Sequence, residues 1–151
     1  TEVGHYEIDL VILSKNKGKQ LLTLTDRHSR HEIIRIVKNK TAEAINKELS
    51  KIAATVNIKS ITSDNGSEFL RLDEALDCPI YYAHPYASYE RGSNENANRM
   101  IRRWIPKKSN KRVTKKMVQK IEDWINDYPR KMFNFKSSNE YITTNELSIY
   151  N

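Results

Sequence analysis

Tyr6-Glu7-Ile8-Asp9-Leu10-Val11-Ile12-Leu13 is a short run of apolar and β-branched residues with two carboxylates two positions apart. Such a run, followed by the polar turn Ser14-Lys15-Asn16-Lys17-Gly18, predicts a buried strand over 5–13. Successive strand side chains alternate faces, so Glu7 and Asp9 point the same way. An ionised Asp there is costly unless it sits at an edge, is paired, or binds a cation. Outward from this strand, 20–26 and 31–37 predict two more, and the short links permit an antiparallel meander. Thr41 then caps a helix with Ala42, Ile45, Leu49, Ile52, Ala53 and Val56 at helical spacing. A fourth strand is expected at 58–63, a short helix within 67–76 and a fifth strand at 79–83. Pro85 biases His84 away from helix. A helix over about 92–104 follows. The last helix is capped by Thr114, carries Met117, Ile121, Trp124, Ile125 and Tyr128, and ends at Pro129. The order βββαβαβαα predicts an α/β fold with a mixed five-stranded sheet flanked by helices.

A chain of 151 residues is one domain by size, with a core to about residue 128 and a tail over 129–151. The 26 Lys and Arg against 19 Asp and Glu give a formal charge of +7. That balance points to a polyanionic partner, with a solvated basic surface as the bland alternative. The single Cys78 excludes an internal disulfide and a Cys-rich zinc site, and His5, His28, His31 and His84 lack zinc-ligand spacing. No apolar run approaches the ~18 residues of a membrane span, and no signal-peptide pattern opens the chain. A reduced, cytoplasmic compartment is expected. The chain starts almost inside its first strand, which reads as a piece of a longer protein.

Asp64 ends the fourth strand and opens Asp64-Asn65-Gly66-Ser67-Glu68-Phe69, at a strand end where α/β sheets collect ligands. Glu95 falls in the first turn of the 92–104 helix if Ser93 caps it, and the helix dipole then favours its charge. Converged, Asp9, Asp64 and Glu95 make an all-oxygen site suited to Mg²⁺ or Mn²⁺. Two such ions about 3.5–4 Å apart serve in-line displacement at phosphorus. Taken singly, each acid has an ordinary reading: Asp-Asn-Gly is a common turn, and Glu95 a solvated helix residue.

The words around the acids narrow these readings. Gly4-His5-Tyr6-Glu7-Ile8-Asp9-Leu10, Leu24-Thr25-Asp26-Arg27-His28-Ser29-Arg30, Thr62-Ser63-Asp64-Asn65-Gly66-Ser67-Glu68-Phe69 and Pro85-Tyr86-Ala87-Ser88-Tyr89-Glu90-Arg91-Gly92-Ser93-Asn94-Glu95-Asn96-Ala97-Asn98 occur in that order. This resembles the catalytic core of DDE transposases and retroviral-type integrases, and more narrowly the bacterial insertion-sequence transposases of family thirty. The tail Tyr128-Pro129-Arg130-Lys131-Met132-Phe133-Asn134-Phe135-Lys136 is also similar to that family's ending. Tyr6, and Tyr89 after Ser88, stand where the family more often has Trp. The resemblance implies an RNase H-like fold, with the metal-binding catalytic triad carried onto Asp9, Asp64 and Glu95. It implies Mg²⁺- or Mn²⁺-dependent cleavage at transposon ends, strand transfer into target DNA, and a homo-oligomer that holds two ends. The family's helix-turn-helix end-recognition region lies upstream, and nothing in this chain matches it. The alternatives are a nuclease of the ribonuclease H or resolvase type, and a non-catalytic DNA-binding remnant.

Basic side chains supply the expected DNA contacts. Helical spacing puts Arg91, Asn98, Arg99 and Arg102 near Glu95, where guanidinium forks suit a phosphodiester. Lys107, Lys108, Lys111 and Arg112 lie in a basic stretch that reads as a DNA-touching loop or as a solvated turn. Each phosphate neutralised adds roughly 0.9 to the salt slope on duplex DNA. Glu7 is a candidate supporting acid or fourth ligand. Asp26 is expected to shape a strand corner with Ser29, and His84 is a candidate proton acceptor. Tyr81, Tyr82, Tyr86 and Tyr89 either stack on bases or pack. Trp124 is core or a dimer face.

Overall fold

The computed structural model describes residues 2–83 and 92–151. Five strands form one mixed sheet in the order β3-β2-β1-β4-β5. They are β1 (His5–Ile12), β2 (Gln20–Asp26), β3 (Glu32–Val37), β4 (Ser60–Ser63) and β5 (Ile80–Tyr82). The first three are an antiparallel meander. The helix α1 (Ala42–Ala53) carries the chain back, so that β4 pairs parallel to β1, and β5 parallel to β4. The remaining helices are α2 (Gly92–Trp104), α3 (Lys115–Asp127) and α4 (Ser138–Thr144). Helices cover both faces of this five-stranded mixed sheet, an RNase H-like architecture.

Alternation along the strands builds two cores. Tyr6, Ile8, Leu22, Leu24, Ile33, Val37 and Ile61 pack with Ile45, Leu49 and Ile52 of α1. On the opposite face, Val11, Leu21 and Ile34 pack with Met100 and Ile101 of α2 and with Val118, Ile121 and Ile125 of α3. The edge strand β3 is sealed by side chains of α3. Asn126 exchanges both its amide groups with the backbone of Glu32 (2.8 and 3.0 Å), and Glu122 Oε1 accepts from the Ile34 N–H (2.9 Å). These bonds satisfy backbone groups that an open edge would leave as a pairing template.

Thr41 and Thr114 cap α1 and α3 as their sequences predict: each hydroxyl accepts a first-turn N–H at 3.2 Å. Three expectations change. The 67–76 segment is two 3₁₀ turns, Ser67–Phe69 and Leu72–Glu74, rather than an α-helix. Phe69 and Leu72 still reach the α1-side core from these turns. Ser93 lies inside α2, not before it, and its hydroxyl accepts from the Arg30 guanidinium. The 129–151 tail carries structure of its own. Ser137 and Glu140 form a reciprocal capping box that starts α4, Ile149 enters the α1-side core, and Tyr150 bridges Val56. No described helix is long and apolar enough to cross a membrane.

Candidate catalytic face

Strand register brings the first two acids together. Glu7 pairs with Thr62 across the parallel β1–β4 seam. Two residues further along both strands stand Asp9, and Asp64 just past the end of β4. They are therefore level with each other and, by alternation, on the α2-facing side of the sheet. Both are half-buried.

Each is held by local chemistry. Asp64 Oδ1 accepts the Gly66 N–H at 2.7 Å, an Asx turn that closes the strand end. Gly66 leaves room there for two side-chain carboxylates. A Cβ at 66 would stand 2.9 Å from Asp64 Oδ1 and 2.7 Å from Glu68 Oε1. Glu68 thus leans toward the same point as Asp64, with Lys40 Nζ 3.9 Å away. The sequence reading gave Glu68 no role, and its place within Asp-Asn-Gly-Ser-Glu is the only signal that would have found it.

The helix α2 crosses over β1. Asn98 Nδ2 donates to Asp9 Oδ2 at 2.7 Å, and the Asn94 backbone N–H donates to Glu7 Oε1 at 3.3 Å. The first turn of a helix has N–H groups without intrahelical partners, so the Glu7 carboxylate seats the N-terminus of α2 on the sheet. Glu7 is almost fully buried, with Arg27 Nε 3.7 Å from Oε2. Glu95 is exposed in that first turn, one helical step from Asn98. Among the described residues, no three His, Cys, Asp or Glu side chains converge closely enough to hold a metal ion. The β1–β4 register puts Asp9 and Asp64 at corresponding positions, and Glu95 stands in the first turn of the helix bonded to Glu7 and Asp9, without the three carboxylates meeting at one point. The available donors are hard anionic oxygens, the class that Mg²⁺ and Mn²⁺ prefer, so the donor set fits such a cation.

Behind this site runs a buried polar row. Thr62, Glu7, Thr25 and Glu32 are cross-strand neighbours on one face, and all are buried. The Thr25 hydroxyl donates to Glu32 Oε1 at 2.6 Å. Burial pushes the Glu32 carboxyl well above the ordinary carboxylate range, against the opposing pull of that bond and of the Arg130 guanidinium. Spacing offered no sign of Glu32 or Arg130; the strand reading took Glu32 as an ordinary strand residue.

The expected DNA-contacting residues separate into groups. Arg91 lies outside the described residues, as do His84, Tyr86 and Tyr89. Asn98 faces Asp9. Arg99 is exposed, one turn beyond Glu95. Arg102 leans back to the sheet, donating to the Ile12 carbonyl at 3.1 Å and the Ile105 carbonyl at 3.4 Å. Lys107, Lys108, Lys111 and Arg112 are all exposed. Their loop is anchored, because Asn16 Nδ2 donates to the Lys111 carbonyl (3.1 Å) and Asn16 Oδ1 accepts the Val113 N–H (2.9 Å). Asp26 shapes the strand corner, accepting the Ser29 N–H and hydroxyl at 2.7 Å each. Tyr81 and Tyr82 are exposed at β5.

Known proteins share this arrangement of segments. The chain is 37% identical over 137 residues to a probable transposase for insertion-like sequence element IS1161 of Streptococcus salivarius, covering 89% of this chain and 40% of that protein. It is 38% identical over 145 residues to the transposase for insertion sequence element IS4351 of Bacteroides fragilis, covering 91% and 44%. The chain is homologous to insertion-sequence transposases. The homologues include the transposase InsI for insertion sequence element IS30A of Escherichia coli K12, 33% identical over 147 residues, with 93% of this chain and 38% of that protein covered. No family model matches the chain. The homologous segment spans less than half the length of the curated relatives it matches.

Proposed function

We propose that this chain is the catalytic core of a DNA transposase, which cuts and rejoins DNA strands with Mg²⁺ or Mn²⁺. Asp9, Asp64 and Glu95 are the metal-holding residues in this reading. The observation that supports it is the β1–β4 register, which gives Asp9 on β1 and Asp64 just past the end of β4 corresponding positions, with the helix that bears Glu95 tied to Asp9 through Asn98. Bound divalent ions, one or two, supply Lewis acidity at the phosphodiester and promote attack by water or a DNA 3′-hydroxyl. The protein's own groups supply position. Asn98 fixes the rotamer of Asp9, the Gly66 N–H fixes that of Asp64, and Glu7 holds the start of α2 so that Glu95 stays over the strand ends. Arg99, with the loop cations from Lys107 to Arg112, draws in the phosphate backbone by charge. Transposon ends and target DNA are the proposed partners, a homo-oligomer the working assembly and the bacterial cytoplasm its location.

The test is Mn²⁺-dependent nicking of supercoiled plasmid by the purified chain. Asp64→Asn is expected to lower the rate at least ~100-fold with the folded circular dichroism spectrum retained. Wild-type nicking by that variant would overturn the triad. One observation favours a second reading: Asp9 and Asp64 already have partners in Asn98 and Gly66, as a DNA-gripping remnant without chemistry would allow. Saturable Mn²⁺ binding that Asp64→Asn abolishes excludes the remnant. Joined product from pre-cut ends separates a transposase from a simple nuclease.

A further inference from the structure

Residues 96–103 of α2 and the segment after α3 enclose a cleft of which the catalytic proposal uses Arg99 alone. Its volume is ≈ 380 Å³, within the range of small-ligand pockets. Arg99 and Arg103 of α2 and Lys131 from the following segment line it, with Arg130 at its wall and no carboxylate among the lining residues. Among the described residues, none of Arg99, Arg103 and Lys131 forms an ion pair, whereas Arg130 is turned inward toward Glu32. The remaining walls are mostly apolar, formed by the Met100 and Met132 side chains, the Tyr128 ring and Pro129, with Asn96 as a polar member.

These walls are held in place. Tyr128 packs edge-on against Trp124 at 5.2 Å, and Trp124 against Trp104 at 5.7 Å. Residues 130–136 are closed on themselves, with the Arg130 N–H donating to the Lys136 carbonyl and the Phe135 N–H to the Arg130 carbonyl. Met132 is nonetheless 57% exposed, so this closed segment presents an apolar thioether to solvent beside cations. Free cations at the mouth with an aromatic ring and thioethers behind are the parts that recognise a phosphate and a base face together. A paired duplex offers its bases to no such cleft; an unpaired nucleotide does. Glu95, Arg99 and Arg103 follow at i, i+4 and i+8, so the cleft begins about one helical turn, ~5 Å, from Glu95.

We infer that this cleft binds one unpaired nucleotide of a DNA strand whose neighbouring phosphodiester lies at the acidic site. The phosphate rests on Arg99, Arg103 and Lys131, and the base packs against Tyr128 and Met132. The inference extends the transposase reading and rests on it for the path of the strand.

Fluorescence anisotropy in EDTA tests it, comparing a blunt duplex with the same duplex carrying unpaired nucleotides at one end. The frayed duplex is expected to bind roughly tenfold tighter. Met132→Ala, at an exposed position, and Tyr128→Ala remove that preference while leaving blunt-duplex affinity unchanged. Equal affinity for the two duplexes overturns the inference. So does a preference that survives both substitutions, or a self-association that Met132→Ala abolishes while the preference persists. Metal plays no part in this assay. Failure of Mn²⁺-dependent nicking with an intact preference therefore sinks the catalytic proposal alone, and the reverse result sinks only the cleft.

Discussion

The two faces of the sheet are built from the same strands and obey different rules. On the α1 side Tyr6, Ile8, Leu22, Leu24, Ile33, Val37 and Ile61 form a buried apolar sheet surface, and its buried carboxylate, Asp26, sits at the strand corner with the Gly4 and Ser29 N–H groups bonded to it. On the α2 side the apolar contact stops partway along the strands, and the rest is Thr62, Glu7, Thr25 and Glu32 with Asp9 and Asp64 beside them. Burying carboxylates costs stability that hydrocarbon would have provided. The α1 face is explained by folding alone. The α2 face carries more of that cost, with Glu7 and Glu32 buried and Asp9 and Asp64 half-buried on one side of the sheet.

Ile8 and Asp9 are sequence neighbours that point to opposite faces, so substitutions there set the two rules against each other. Ile8→Ala removes a fully buried side chain from the α1 core and is expected to cost ~2–5 kcal/mol, read as a lower urea midpoint. Its nicking rate per folded molecule stays unchanged. Asp9→Asn is expected to do the converse: a stability change within about 1 kcal/mol, and loss of Mn²⁺-dependent nicking. If Asp9→Asn destabilises as much as Ile8→Ala, the carboxylate is structural and the division between the faces fails.

Much of this division was legible in the residues. Period-two alternation around Asp9 announced that two carboxylates shared a face with apolar neighbours, and the helix before β4 announced a crossover to a parallel pairing, although not that the partner would be β1. The corresponding positions of Asp9 and Asp64 come from the choice of β1 as partner and from the register, neither of which a local pattern contains. Other features were hidden because they are made by long-range contacts. Nothing local tells that Asn16 will bind a loop nearly a hundred residues away, or that Glu32 will be sealed under α3. The capping box of Ser137 and Glu140 was written in the local sequence, and α4 could have been predicted from it; the family-like tail motif drew the eye instead. The 67–76 segment has helical composition, yet the chain breaks it into two 3₁₀ turns that still bury Phe69 and Leu72.

His31 and Glu32 are a second adjacent pair divided between the faces. His31 is buried on the α1 side with its ring edge-on to Tyr150, and burial lowers its pKa from 6.5 to about 4. The fold holds it neutral, so between those values the unfolded chain binds more protons and stability falls as pH drops. The loss amounts to at most about 3 kcal/mol between pH 6.5 and pH 4. A His31→Gln variant is expected to lack this slope in thermal melts across that window. An unchanged slope means that His31 is protonated in the fold, or that another group carries the acid sensitivity.

Glu32 has the opposite sign and a smaller expected effect. Its carboxyl is raised well above 4.5 by burial, so the fold favours the protonated form. Below 4.5 folded and unfolded chains both carry the proton and nothing is lost. As pH rises from there toward the folded value, the unfolded chain releases its proton first, and the native state is progressively penalised. Glu32→Gln keeps an oxygen for the Thr25 hydroxyl and removes the ionisation. It is expected to raise the melting temperature at pH 8 and to leave it unchanged near pH 4. Between 4.5 and 6.5 the two residues oppose each other, which flattens the wild-type profile there, and each single variant exposes the slope of the other. Asp9 and Asp64 are untouched by this change, so nicking at pH 8 should persist in Glu32→Gln. If activity falls while stability rises, the buried row does more than support the sheet: its charge is felt at the catalytic face, and the boundary between structure and function on the α2 side lies one strand further out, at β3.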